Sequence, residues 1–311
     1  MIAPPIRIIQ YPPIGHNMHP TSTTRAISSF AGVLTEEDAR CFILGDQRER
    51  HLERDVIWDG YRRHWLGDRV CARYLPQQDY QTGKPIAIIS PDAAPSAQEA
   101  IELYYNERLV KYPASRLGHI AINVNGEIFN FSHLMYENEI LTEEEYFYRP
   151  ALGEFAPDPV TGRANVSQTG QPYYDKFGRS FMRTIHVLRI EGLDMGRLAA
   201  IFKRELETIR CTPVDPRRPQ KYRKFHWLSR NCATIIRDGL REYGFAAIRG
   251  CLPRDLFVNA ACFFIVTNKT TGVRAGLYKK AQLKVKEAPC SKLTFILNPI
   301  NWLRVSMLPP S

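Results

Sequence analysis

The chain lacks any apolar run long enough to cross a bilayer. Its longest stretch dominated by apolar residues, Val258 to Val266, has nine positions, against about 18 for a spanning helix. It also lacks a basic and then apolar leader: the start, MIAPPIRIIQYPPIGH, has no Sec-type signal pattern. Such a chain is expected to be made in the cytoplasm and to leave it only through a specialised secretion system. No CxxC pair occurs among the seven cysteines, at 41, 71, 211, 232, 251, 262 and 290. An odd number without paired spacing argues against a disulfide scaffold and a zinc site, and for thiols kept reduced. His16 and His19 have metal-like spacing but sit in a Pro-rich context. GxSxG, P-loop and HExxH signatures are missing, as are internal repeats and low-complexity tracts. Neither a metal nor an organic cofactor is expected.

What is present is an ordinary globular composition. The 311 residues suit one large domain or two modest ones, and a hydrophobic fraction of 44% allows a real core. Lys and Arg number 42 against 32 Asp and Glu, a net charge of +10. That favours anionic partners. The charged stretch RERHLERD…GYRRHW reads as a solvated helix face. It carries no recognition motif or aromatic interleaving, so nucleic acid is not an expected partner.

The pattern divides the chain into four parts. Residues 1–30 read as an extended Pro-rich arm. Residues 31–110 read as a mainly helical N-terminal region: Thr35 is a candidate cap with Glu36, Glu37 and Asp38 in a first turn, and Ser96 and Glu99 have capping-box spacing. Within it Lys84 to Ser90 is a candidate strand. Residues 111–267 form the candidate catalytic core, with a long loop or insertion over 150–180. Residues 268–311 are a basic and apolar tail with Lys279, Lys280, Lys284, Lys286 and Lys292, then Ile300, Trp302 and Leu303.

The chemistry concentrates in the core. In LSRNCATIIRDGLREYG, Ile235, Ile236, Leu240 and Tyr243 recur at helical spacing and Gly244 stops the helix. Ser229 or Asn231 can cap its start, which puts Cys232 in or just before the first turn. Unpaired N–H groups and the dipole there favour a thiolate and can form half of an oxyanion hole. Arg230 and Lys224 are expected to push the thiol the same way. A cysteine is also a good core residue, and Cys41, in a helical pattern, and Cys262 read so.

In GHIAINVNGEIFNFSH, Asn125-Gly126 between alternating runs predicts a two-residue hairpin. Val124 then faces Glu127 and paired positions sum to 251. His119, Ala121 and Asn123 share a face with Ile128, Asn130 and Ser132. Asn130 becomes a diagonal neighbour of His119, placed to fix its tautomer as an orienting group does in a thiol–imidazole site. Ser132 is the alternative orienter, and a regular strand would turn His133 to the other face.

These segments resemble the circularly permuted papain-like superfamily, the NlpC-like and lecithin:retinol acyltransferase-like enzymes. GHIAINVNG looks like their histidine strand, IFNFSH like the next strand and RNCATII like the helix start bearing the cysteine. The resemblance covers roughly residues 115–265. It implies an α+β fold, a small antiparallel sheet carrying the histidine and a helix carrying the cysteine. It implies His119 as base, Asn130 as third polar residue and Cys232 as nucleophile, in acyl chemistry without a cofactor. The permuted branch leans toward lipids, and the basic tail suits an anionic membrane surface. A phospholipid ester hydrolase or acyltransferase is the expected function. A peptidoglycan amidase or cysteine peptidase, and a non-catalytic binding module, are the alternatives. By analogy with delivered antibacterial effectors, the expected partners include secretion machinery and an immunity or inhibitor protein.

Overall fold

The computed structural model of the protein describes residues 29–78, 84–92, 99–109, 116–151, 178–218, 221–268, 272–288, 291–292, 296 and 298–309. The N-terminal arm and most of the 150–180 loop fall outside these residues.

The chain is α+β, with two antiparallel sheets and helices on them. The first sheet holds β1 (Ser29–Glu37), β2 (Arg40–Leu44), β3 (Arg50–His51), β4 (Arg69–Gln78) and β5 (Pro85–Pro91), in the order β3-β2-β1-β4-β5. This corrects the helical reading of residues 31–110. Glu37 pairs with Arg40 across a tight turn in which Asp38 and Ala39 both have positive φ. The acidic cluster that resembles a helix start is a hairpin end, and Cys41 lies on a strand. Among the described residues there, only Asp59–Trp65 (α1) is helical. Its Arg62 pairs with Glu36 at 2.6 Å and with Asp59 at 3.0 Å, which makes this charged run a solvated face. Trp58, Tyr61 and Trp65 point inward, into a core with Leu34, Ile43 and Ile89.

The second sheet holds β6 (Ala100–Asn106), β8 (His119–Val124), β9 (Glu127–Asn130), β10 (Glu139–Leu141), β11 (Ile185–Glu191) and β12 (Arg274–Lys280), in the order β10-β9-β8-β6-β11-β12. A short pair joins β7 (Arg108–Leu109) to β13 (Ser291–Lys292). Residues 100–106 are a strand rather than a helix. All seven are buried, so both faces are packed and no alternation marks the strand in the sequence. Ile101 and Leu103 face α4 (Met195–Arg210), α5 (Cys232–Tyr243) and α6 (Pro253–Ala261). Tyr104, Ala121 and Ile128 face α2 (Glu143–Tyr148). The tail begins as the edge strand β12 of this sheet and ends in α7 (Pro299–Met307).

α3 (Arg179–Met182) bridges the two halves. Phe181 and Met182 enter the core of the first sheet. Arg179 and Arg183, which follows the helix end, border a pocket at the end of the second.

Candidate active site

The β8–β9 hairpin has the expected register. Val124 pairs with Glu127, Asn123 with Ile128 and Ile122 with Phe129. Asn125 and Gly126 both have positive φ, the geometry an Asn-Gly turn supplies at low cost. His119 opens β8 opposite Asn106 of β6. The residue before it, Gly118, has φ +76, and a Cβ there would lie 2.7 Å from the Asn106 carbonyl oxygen. Glycine thus sets how the chain delivers His119 to the sheet end.

His119 Nε2 lies 2.7 Å from Asn130 Oδ1. The Asn130 amide is not free to flip: its Nδ2 donates to the Glu137 carbonyl at 2.7 Å, and the residue is 2% exposed. Its oxygen therefore faces the imidazole, Nε2 carries the proton and Nδ1 is left as the basic nitrogen. Ser132, the alternative orienter, donates its hydroxyl to Glu137 Oε2 at 2.6 Å and does not contact His119. The strand ends at Asn130, where the Asn138 side chain takes over: its Oδ1 accepts from Ser132 N at 3.0 Å. His133 consequently departs from strand alternation and lines the same pocket as His119.

Asn231 caps α5. Its Oδ1 accepts from Ala233 N and Thr234 N at 2.9 and 3.0 Å, and Thr234 Oγ1 accepts from Asn231 N at 2.8 Å. This capping box fixes the first helical residue, Cys232. Gly244, with φ +137, ends the helix, and Ile235, Ile236 and Leu240 anchor its inner face. Cys232 and His119 line one pocket of about 60 Å³ with Arg179, Arg183, Glu137 and His133. Phe131, Phe225 and Leu252 give it apolar walls, and the half-exposed Trp227 also borders it.

The electrostatics differ from the sequence expectation. Burial pushes the Cys232 thiol up to about 11, and the backbone N–H groups of Ile120, Ala233 and Cys232, with Arg179, only partly oppose it. Arg230 is engaged elsewhere, with Glu205 and Tyr222, and Lys224 is exposed. Loss of water also holds His119 well below its ordinary value, and Arg179, Arg183 and His133 push the same way against the Asn130 hydrogen bond. The pocket thus holds a neutral thiol and a neutral imidazole at rest. A neutral imidazole is in the form that can accept a proton.

The sequence did not single out Arg179, Arg183 or Glu137. Arg179 follows the Gly- and Pro-rich stretch and stands apart from any periodic pattern. Among the described residues, His51, His64, His186 and His226 do not line the pocket: His186 meets Glu107 at 3.2 Å, and His226 accepts from the backbone of its own turn. Among the described residues no group of three His, Cys, Asp or Glu side chains is placed to hold a metal ion. Comparison with family models, curated proteins and solved structures gave no match in any of the three.

Proposed function

We propose that the chain is a thiol-dependent acyl hydrolase or acyltransferase of the permuted papain-like kind, with a glycerophospholipid ester as substrate. The observation that carries the reading is the 2.7 Å contact between His119 and an Asn130 amide locked from behind, in a pocket shared with Cys232 at a helix start. Sulfur forms a bond to the ester carbonyl carbon while its proton passes to Nδ1 of His119. The C–O bond then breaks, the proton goes to the leaving alkoxide, and a thioester remains. Water or an acceptor alcohol attacks the thioester, gives its proton to His119 and releases the thiolate, which takes that proton back. The N–H groups of Ile120 and Ala233 face the sulfur and favour its anionic form.

The lipid reading rests on α7. This helix is turned inside out: its buried residue is polar, and its apolar residues face water. Asn301, 1% exposed, donates to Asp255 Oδ1 at 2.8 Å, while Ile300, Trp302 and Leu303 are 58–69% exposed. Beside it lies a groove of about 270 Å³ lined by Phe257, Val258, Leu277, Val305 and Leu308. An exposed apolar helix on a chain of net charge +10 suits the interface of an anionic bilayer.

Incubation with vesicles of phosphatidylglycerol and phosphatidylethanolamine tests the proposal. Fatty acid release, or its transfer to an added alcohol, is expected from the wild type and not from Cys232→Ala. Release of stem peptide from muropeptides with none from vesicles would replace the lipid reading by the amidase one. Activity retained by Cys232→Ala would end the thiol mechanism.

A further inference from the structure

We infer that Trp227 and Leu228, with the basic residues just before them, form a docking surface for an anionic lipid bilayer at the mouth of the pocket that holds Cys232. The inference goes beyond the proposed function and rests on it only for what the docked pocket does.

The stretch RRPQKYRKFHWL, ending at Leu228, carries five basic residues and no acidic one. Arg217, Arg218, Lys221, Arg223 and Lys224 are all exposed. The next basic residue, Arg230, is neutralised by Glu205, whereas among the described residues none of the five is in an ion pair. Asp215, the acidic residue before them, accepts from the backbone N of Arg217 at 2.9 Å. This is a concentrated positive charge facing water, and an anionic surface complements it.

The charged stretch ends in an apolar tip. His226 and Arg230 exchange two backbone hydrogen bonds of 2.9 Å, and His226 Nδ1 accepts from Leu228 N and Ser229 N at 3.3 Å. This tight turn holds Trp227 and Leu228 outward, 49% and 61% exposed. Two adjacent large apolar side chains fixed in water are covered at a gain once a partner excludes that water. A bilayer covers them without a matching groove. Its headgroup level suits the amphipathic indole, its acyl region suits the leucine, and its phosphates meet the cations. A single nucleic-acid strand could stack on Trp227 but offers Leu228 nothing comparable.

The tip is tied to the reacting groups. Phe225 and Trp227 border the pocket with Cys232, and their rings meet edge-on at 5.3 Å. Asn231, the cap of α5, donates its Nδ2 to the Trp227 carbonyl and, at 2.9 Å, to that of Cys251 just before α6. Asp255, in the first turn of α6, holds Asn301 of α7 at 2.8 Å. Contacts thus run from the tip through the cap of the Cys232 helix to the exposed apolar helix, and docking of the tip brings the pocket mouth to the lipid.

Cosedimentation of the whole chain with vesicles tests this, in a Cys232→Ala background that leaves the lipid intact. Binding is expected to vesicles of phosphatidylcholine mixed with phosphatidylglycerol and not to phosphatidylcholine alone. Lys221→Gln with Arg223→Gln and Lys224→Gln should weaken it about 100-fold, three steps of about fivefold, the scale of one Lys or Arg at an anionic surface. The three side chains are exposed, so an unchanged thermal melt is expected, and Lys221→Arg with Lys224→Arg should bind as the parent does. Brominated phosphatidylcholine in the mixed vesicles reads position. In Trp302→Phe, Trp227 is the one exposed tryptophan, since Trp58 and Trp65 are buried, and its fluorescence should be quenched. No binding to the mixed vesicles, unchanged affinity of the neutralised variant, or no quenching in the bound protein overturns the surface. Binding to a single-stranded oligonucleotide or an acidic protein with none to vesicles overturns it as well. Docking by a wild type that releases no fatty acid leaves the surface standing and rejects the lipid substrate. Fatty acid release with docking indifferent to the neutralised variant does the reverse.

Discussion

Replacing Asn130 by alanine separates the roles of the site's groups. The substitution removes the acceptor from His119 Nε2 and the donor from the Glu137 carbonyl, both at 2.7 Å, the first in a half-buried site and the second buried. Each orphaned partner costs about 1–3 kcal/mol of stability, so a loss of roughly 2–6 kcal/mol in urea unfolding is expected. The effect on rate has a different origin. With Oδ1 gone, the proton can move to Nδ1, and that tautomer cannot accept the thiol proton. The imidazolium formed during attack also loses a charge-assisted partner worth about 1.5–3 kcal/mol. That is a fall of about 10- to 150-fold in turnover, measured at a temperature where the variant is shown to be folded. His119→Ala should abolish turnover. Asn130→Asp gives a further readout: its carboxylate favours imidazolium, so the acid limb of the pH profile should move to higher pH. If folded Asn130→Ala turns over at the wild-type rate, Asn130 does not orient the base. If it is as inactive as Cys232→Ala, its role exceeds orientation.

Four further outcomes are expected. His119 is held well below its ordinary value of about 6.5, so on acidification the unfolded chain gains a proton before the folded one does. Thermal stability should therefore fall as pH drops through about 6.5, and His119→Gln should flatten the decline. Because burial lifts the Cys232 thiol to about 11, its alkylation by iodoacetamide in the unliganded protein should climb about tenfold per pH unit above neutrality; a plateau below about pH 8 would contradict the neutral resting pair. Trp302→Ser with Leu303→Glu on α7 should cut binding to anionic vesicles tenfold or more, the scale of one lost buried side chain. Hydrolysis of a soluble short-chain ester should stay unchanged, and wild-type vesicle binding should weaken with salt. Chelators should leave turnover intact, and loss restored by zinc would count against the thiol mechanism.

The parts of the fold written in local chemistry were legible in the sequence. Asn125-Gly126 fixed the register that sets Asn130 beside His119, and Asn231, Thr234 and Gly244 bounded α5. Asp194 caps α4, accepting from Arg197 N at 3.0 Å. The first sheet was not legible, because TEEDAR has helix-start composition and only tertiary pairing makes it a hairpin. β6 was hidden because burial on both faces erases alternation. The direction of the Cys232 shift was also invisible: helix position is local, while loss of water around the sulfur depends on walls from Phe131, Phe225 and Leu252.

That last discrepancy bears on how the site would work. A thiolate already formed at rest gains little from donors when it attacks, since they stabilise ground and transition states alike. A buried neutral thiol reverses the balance. The N–H groups of Ile120 and Ala233 and the charge of Arg179 have little to act on until negative charge develops at the sulfur. They are then already in place, and their stabilisation falls on the transition state. The neutral His119 beside them is in the form that can accept the proton at that moment. On the proposed reading, Arg179 favours the charge formed in the attack. Arg179→Gln, shown to be folded, should then lower kcat on an uncharged soluble ester, and an unchanged kcat would refute that role.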